Sequence, residues 1–127
     1  MTERMEDRAA RIGFEEEQLE GNITLLMITG DLDMYTLPKA KNTINHITET
    51  GRNRILIDLK NMDYIDSSGL GFFIGTLKKL KEKGGDLKLM NLNSYIQGIF
   101  KLINLNYIIE IFEDRETAIK HFNNPDE

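Results

Sequence analysis

The 127-residue sequence has no cysteine, no tryptophan and only two histidines, His46 and His121. Without cysteine there is no disulfide and no thiolate metal site, and the chain suits a reducing compartment. No apolar run approaches the roughly 20 residues of a membrane span. Met1 to Arg11 mixes Glu, Asp and Arg, so the apolar core of a secretory signal is missing there, and a cytoplasmic location is expected. Basic charge is short as well. Sixteen Lys and Arg stand against 21 Asp and Glu, a formal net charge of −5. That balance argues against nonspecific nucleic-acid binding and against docking on anionic lipid; protein partners stay open.

The enzyme inventory is equally bare. There is no Gly-x-Ser-x-Gly elbow and no Gly-rich phosphate loop with a lysine. A serine nucleophile needs a base and an orienting acid. His46 and His121 fall on amphipathic helices, with no signal bringing either to a serine. No catalytic residue, metal or cofactor is expected.

What is present reads as alternating strands and helices. A charged tail covers residues 1–12, one domain covers 13–122, and a polar tail covers 123–127. A weak acidic strand at Phe14–Leu19, expected at a sheet edge, turns at Glu20-Gly21-Asn22 into a stronger strand at Ile23–Thr29. Gly30 to Tyr35 reads as a loop. Thr36 can cap a helix carrying Leu37, Ala40, Ile44 and Ile47 at helical spacing. Ile55–Leu59 suits a buried central strand, and Lys60 to Asp66 reads as a loop. A second helix has the stripe Leu70, Phe73, Ile74, Leu77 and Leu80, stopped by Gly84-Gly85. Leu87–Met90 is a strand. Asn93 or Ser94 can cap a third helix with Ile96, Ile99, Phe100 and Ile103 facing inward. Tyr107–Phe112 is the last strand, and Asp114 or Glu113 opens a final helix. The order β-β-α-β-α-β-α-β-α predicts an α/β fold: a mixed, mostly parallel sheet of about five strands with about four helices.

Asp66-Ser67-Ser68-Gly69-Leu70-Gly71 is the most informative stretch, since functional loops concentrate between strand and helix. Its plainer reading is a capped helix start, with Ser67 or Ser68 as the cap. Three features go further. Gly69, Gly71 and Gly75 each cost a helix about 1 kcal/mol relative to alanine, so something must offset them. Asp63 and Asp66 flank the serines. Gly30-Asp31-Leu32-Asp33 ends another strand, and in a parallel sheet it can lie at the same edge. A phosphate there would be tolerated by the helix N-terminus, yet a fitted partner would meet a charge of about −2.

These residues resemble the anti-sigma-factor antagonists, which are single STAS domains. The matching pieces are Gly30–Asp33, Ile55–Leu59, Met62–Gly71 and Gly84–Leu89, in the family's order and spacing. The resemblance implies a STAS-type fold and partner switching. The unphosphorylated protein binds an anti-sigma factor that is also a serine kinase, which frees the sigma factor. The kinase, which itself binds the ATP, then phosphorylates the antagonist and releases it. A metal-dependent serine phosphatase restores it. The acceptor implied is Ser67, with Ser68 the alternative. Asp31, Asp33, Asp66, Ser68, Gly69, Leu70 and Gly71 are implied as partner-binding. A phosphorylation-controlled STAS module acting on a non-sigma regulator is the rival reading. One departure stands out: Ile103-Asn104-Leu105 replaces the family's Ser/Thr-Gly-Leu, and Asn104 suits the helix end because asparagine tolerates the left-handed conformation.

Overall fold

The computed structural model describes residues 10–125, so most of the charged tail lies outside the described residues. The hairpin of β1 (Ile12–Leu19) and β2 (Ile23–Leu32) is followed by α1 (Leu37–Glu49), β3 (Arg54–Asp58), β4 (Met62–Ile65) and α2 (Ser67–Glu82). Then come β5 (Asp86–Met90), α3 (Ser94–Leu102), a 3₁₀ turn (Leu105–Tyr107), β6 (Glu110–Phe112) and α4 (Arg115–Asn123). The sheet runs β1-β2-β3-β5-β6, with β4 paired to β2 off that path. Among the described residues only β1 is antiparallel to its neighbour. It forms an edge, where exposed Glu15, Glu16 and Glu17 discourage pairing with another chain.

Alternation along each strand divides the core in two. Leu26, Ile28, Ile55, Ile57, Leu87 and Leu89 pack under α1, α2 and α3 through Ala40, Ile44, Ile47, Phe73, Leu80, Ile96 and Phe100. The opposite face offers Ile23, Leu25, Leu56 and Met90 to Ala118 and Phe122 of α4.

The structure corrects what the sequence predicts for several elements. Residues 60–66 are not all loop: Met62–Ile65 is a sixth strand. β2 is long enough to pair with β3 at Thr24–Met27 and then with β4 at Gly30–Leu32. Correspondingly, β2 runs on through Gly30 to Leu32, where a loop is expected. The last strand is shorter than Tyr107–Phe112, because Leu105–Tyr107 closes as a 3₁₀ turn. In α2 the inward face is Gly69, Phe72, Phe73, Thr76 and Leu80, while Ile74 is exposed. Helix α2 packs on α1 as well as on β5, which turns its buried face toward Phe72 and Thr76. In α3, Ile103 is exposed, because the helix has ended at Leu102. Asn104 then takes the left-handed conformation (φ 55°, ψ 38°) one residue beyond the Ile103 cap, as its chemistry suggests.

Candidate functional site

Strands β2 and β4 are parallel and in register at Leu32 and Ile65, so the segments after them leave the sheet side by side. That edge, outside the carboxyl ends of the strands, is where α/β sheets bind ligands. A register shift between Gly30 and Asp31 re-aims the end of β2. Gly30 itself admits no side chain: its φ is +97° and a Cβ would lie 1.9 Å from the Arg11 carbonyl oxygen.

After β2 the chain folds on itself through Asp33 and Thr36. The Asp33 carboxylate Oδ1 accepts hydrogen bonds from the Tyr35 and Thr36 backbone N–H groups at 2.9 and 3.0 Å. The Thr36 hydroxyl oxygen accepts from the Asp33 N–H at 3.0 Å and donates to the Asp31 carbonyl at 2.8 Å. This reciprocal pairing three residues apart has the form of a capping box. It buries both side chains and leaves Met34 at the tip, 62% exposed. In the sequence the signal for this loop is the Asp-x-x-Thr spacing, within which Thr36 also reads as a helix cap.

After β4, the cap of α2 is Asp66, not Ser67 or Ser68. Asp66 is extended, at φ −111° and ψ −173°, while Ser67 is already helical. Its Oδ1 accepts from the Gly69 N–H at 3.1 Å and its Oδ2 from the Met34 N–H at 3.3 Å. Its own N–H donates to the Leu32 carbonyl at 3.2 Å. One aspartate therefore holds the start of α2, strand β2 and the Asp33 loop together. Released from capping, Ser67 is exposed in the first turn, and Ser68 is half-buried beside it.

The three glycines have different roles. A Cβ on Gly69 would fall 2.7 Å from both the Leu32 carbonyl oxygen and Ile65 Cγ1, so this glycine lets the helix start close against the sheet. Gly71 and Gly75 have nothing within 4 Å of a Cβ position. They floor a groove of about 450 Å³ between α1 and α2, with Leu37, Ile44, Ser68 and Phe72 among its walls and Lys41 and Lys79 beside it. Leu70 is half-buried against the core.

The site is acidic. Burial raises the pKa of the half-buried Asp31 carboxyl above its usual 3.8; the Arg11 charge opposes the rise, while Asp33 and Asp63 add to it. Among the described residues no group of His, Asp and Glu side chains is arranged to hold a metal ion. No helix there is long and apolar enough to cross a membrane. Neither histidine lies at this site. His46 is exposed on α1, and the His121 ring packs 4.8 Å from that of Phe112.

The family model of the STAS domain matches residues 16–118. The chain belongs to the STAS domain family. Among its relatives this STAS domain is similar to the anti-sigma-B factor antagonist of Bacillus subtilis (strain 168), 35% identical over 86% of this chain and 98% of that protein. It is likewise 32% identical to the anti-sigma-B factor antagonist of Staphylococcus aureus (strain NCTC 8325 / PS 47), over 70% of this chain and 82% of the relative. The fold also matches SpoIIAA of Bacillus in the phosphorylated form, with a TM-score of 0.65 at 21% identity, covering 86% of this chain and 98% of that one. This STAS domain is thus related to anti-sigma-factor antagonists, which are regulatory proteins.

Proposed function

We propose that this STAS domain antagonises an anti-sigma factor and that Ser67 is its phosphoacceptor. The observation that carries the proposal is the exposed Ser67 in the first turn of a helix whose cap is supplied by Asp66. The hydroxyl is therefore not needed by the fold. In the unphosphorylated state the surface carrying Asp31, Asp66, Ser68, Leu70 and Gly71, with the buried Asp33 and Gly69 shaping it from beneath, binds an anti-sigma factor that is also a serine kinase, and the sigma factor is freed. Ser67 Oγ then attacks the γ-phosphorus of ATP held by that partner. The new O–P bond replaces the bond to ADP, which leaves, and the hydroxyl proton passes to a base of the kinase. A metal-dependent serine phosphatase hydrolyses the phosphoserine. The chain acts in the cytoplasm as a substrate of phosphoryl transfer, contacting neither nucleic acid nor membrane.

Magnitudes favour a switch at the interface over a switch of fold. A negative charge at a helix N-terminus is stabilising by about 0.3–1 kcal/mol. An unpaired charge buried in a partner interface costs several kcal/mol, and the acidic neighbours add repulsion. The relatives named as antagonists support the reading, as does the likeness in fold to a protein known in phosphorylated form.

The test is phosphorylation by the cognate anti-sigma factor with ATP, followed by intact-mass and peptide mass spectrometry. One phosphate is expected on the wild type, on the peptide bearing Ser67, and none on Ser67→Ala. Undiminished labelling of Ser67→Ala would overturn the assignment and move it to Ser68. Ser67→Asp should keep a near-native circular dichroism spectrum while losing affinity for the kinase by at least about tenfold.

A further inference from the structure

We infer that Asp66 is a positioning residue that presents Met34 and Ser67 to the partner as one rigid surface, with Met34 as its apolar anchor. This rests on the proposed function and deepens it. Met34 and Ser67 are 33 positions apart in sequence, on loops that leave different strands. Asp66 joins them directly. It is the residue before Ser67, and its Oδ2 accepts the Met34 N–H at 3.3 Å. Its Oδ1 meanwhile accepts from the Gly69 N–H and its own N–H donates to the Leu32 carbonyl, so the residue is fixed from the helix side and from the sheet side.

The Met34 side chain has the features of an anchor. It is 62% exposed, on a loop whose flanking residues are tied down by the Asp33–Thr36 bonds. Exposed methionines suit protein interfaces because their flexible, polarizable side chains adapt to an apolar pocket. A loop ordered before binding loses little entropy on association. The partner surface inferred is therefore an apolar pocket for Met34 next to a polar, uncharged seat for the Ser67 hydroxyl. Such a pair couples recognition to phosphorylation, because anchor and acceptor share one support.

Asp66→Asn separates the two tasks of the carboxylate. Asparagine caps helices as well as aspartate does, so its oxygen keeps the Gly69 bond, while its NH₂ faces the Met34 N–H and cannot accept from it. Amide hydrogen exchange followed by NMR reads this without any partner. Exchange at Met34 should quicken by at least about tenfold while Gly69 stays protected. Unchanged exchange at Met34 would overturn the positioning role. With the cognate kinase and ATP, Met34→Ala should raise KM for the chain about tenfold with kcat within about twofold, and Met34→Leu should restore KM. Wild-type KM in Met34→Ala would overturn the anchor. Failure of the wild type to be phosphorylated at all would instead overturn the proposed function, whereas a phosphorylated wild type with a silent Met34→Ala would overturn this inference alone.

Discussion

Asp31 and Asp33 stand two residues apart in the sequence and do different things. The Asp33 carboxylate is engaged by its own loop through Tyr35 and Thr36, so whatever it contributes to a partner acts through the loop it shapes. Partial burial opposes ionisation of the Asp31 carboxyl, with the charges of Asp33 and Asp63 adding to it and that of Arg11 working against it. A carboxyl with a raised folded-state pKa binds its proton more tightly in the folded state than in the unfolded one. Its contribution to stability is complete below the unfolded value near 3.8 and is lost as pH rises through the folded value. Asp31→Asn should therefore gain in urea midpoint over the wild type as pH is raised from about 3 to about 7. Chemical denaturation at several pH values checks this, and a gain that shrank with rising pH would contradict the opposition of burial to the Asp31 charge.

At the scale of the element, α2 carries the two behaviours of helical glycine. Gly75 faces open space, so Gly75→Ala should raise stability by about 0.5–1 kcal/mol, the helix-propensity difference. Gly69→Ala meets the Leu32 carbonyl oxygen at 2.7 Å and should lower it by about 1–3 kcal/mol, the scale of overpacking. Urea unfolding of the two variants measures both signs. Legibility in the sequence divides in a similar way. Helix α1 was plain because Ala40, Ile44 and Ile47 are all buried on one side, matching the spacing. Strand β4 was hidden, because its buried residues Met62 and Ile65 are three apart, not two, and its pairing is supplied by β2 from far along the chain. Residues 66–71 are readable as a strand-to-helix junction with a distinctive motif. The role of Asp66 is not, since its second partner, Met34, is 32 residues away, and no local pattern records a contact at that distance.

At the scale of the molecule, the sheet is covered unequally on its two faces. Among the described residues, α1, α2 and α3 cover one face and α4 alone covers the other. Arg54, at the start of β3, latches the end of that helix. Its guanidinium donates to the carbonyl oxygens of Phe122 and Gly21 and to Asn123 Oδ1. It also lies 5.4 Å from the centroid of the Phe122 ring. The latch sits at the amino end of its strand, whereas the Asp33 loop and Ser67 follow the carboxyl ends of β2 and β4, so the rigid sheet stands between them. Arg54→Ala removes charged hydrogen bonds that are partly open to solvent, and should cost about 1–2 kcal/mol. Exchange of the α4 amides should quicken first, since an element held by one cluster opens below the global unfolding energy. Phosphorylation of Ser67 should proceed with an unchanged KM, because none of the bonds that set Met34, Asp66 and Ser67 runs through β3 or α4. A KM raised about tenfold in Arg54→Ala would mean that the second face communicates with the acceptor edge, and that the sheet transmits strain instead of isolating the site from it.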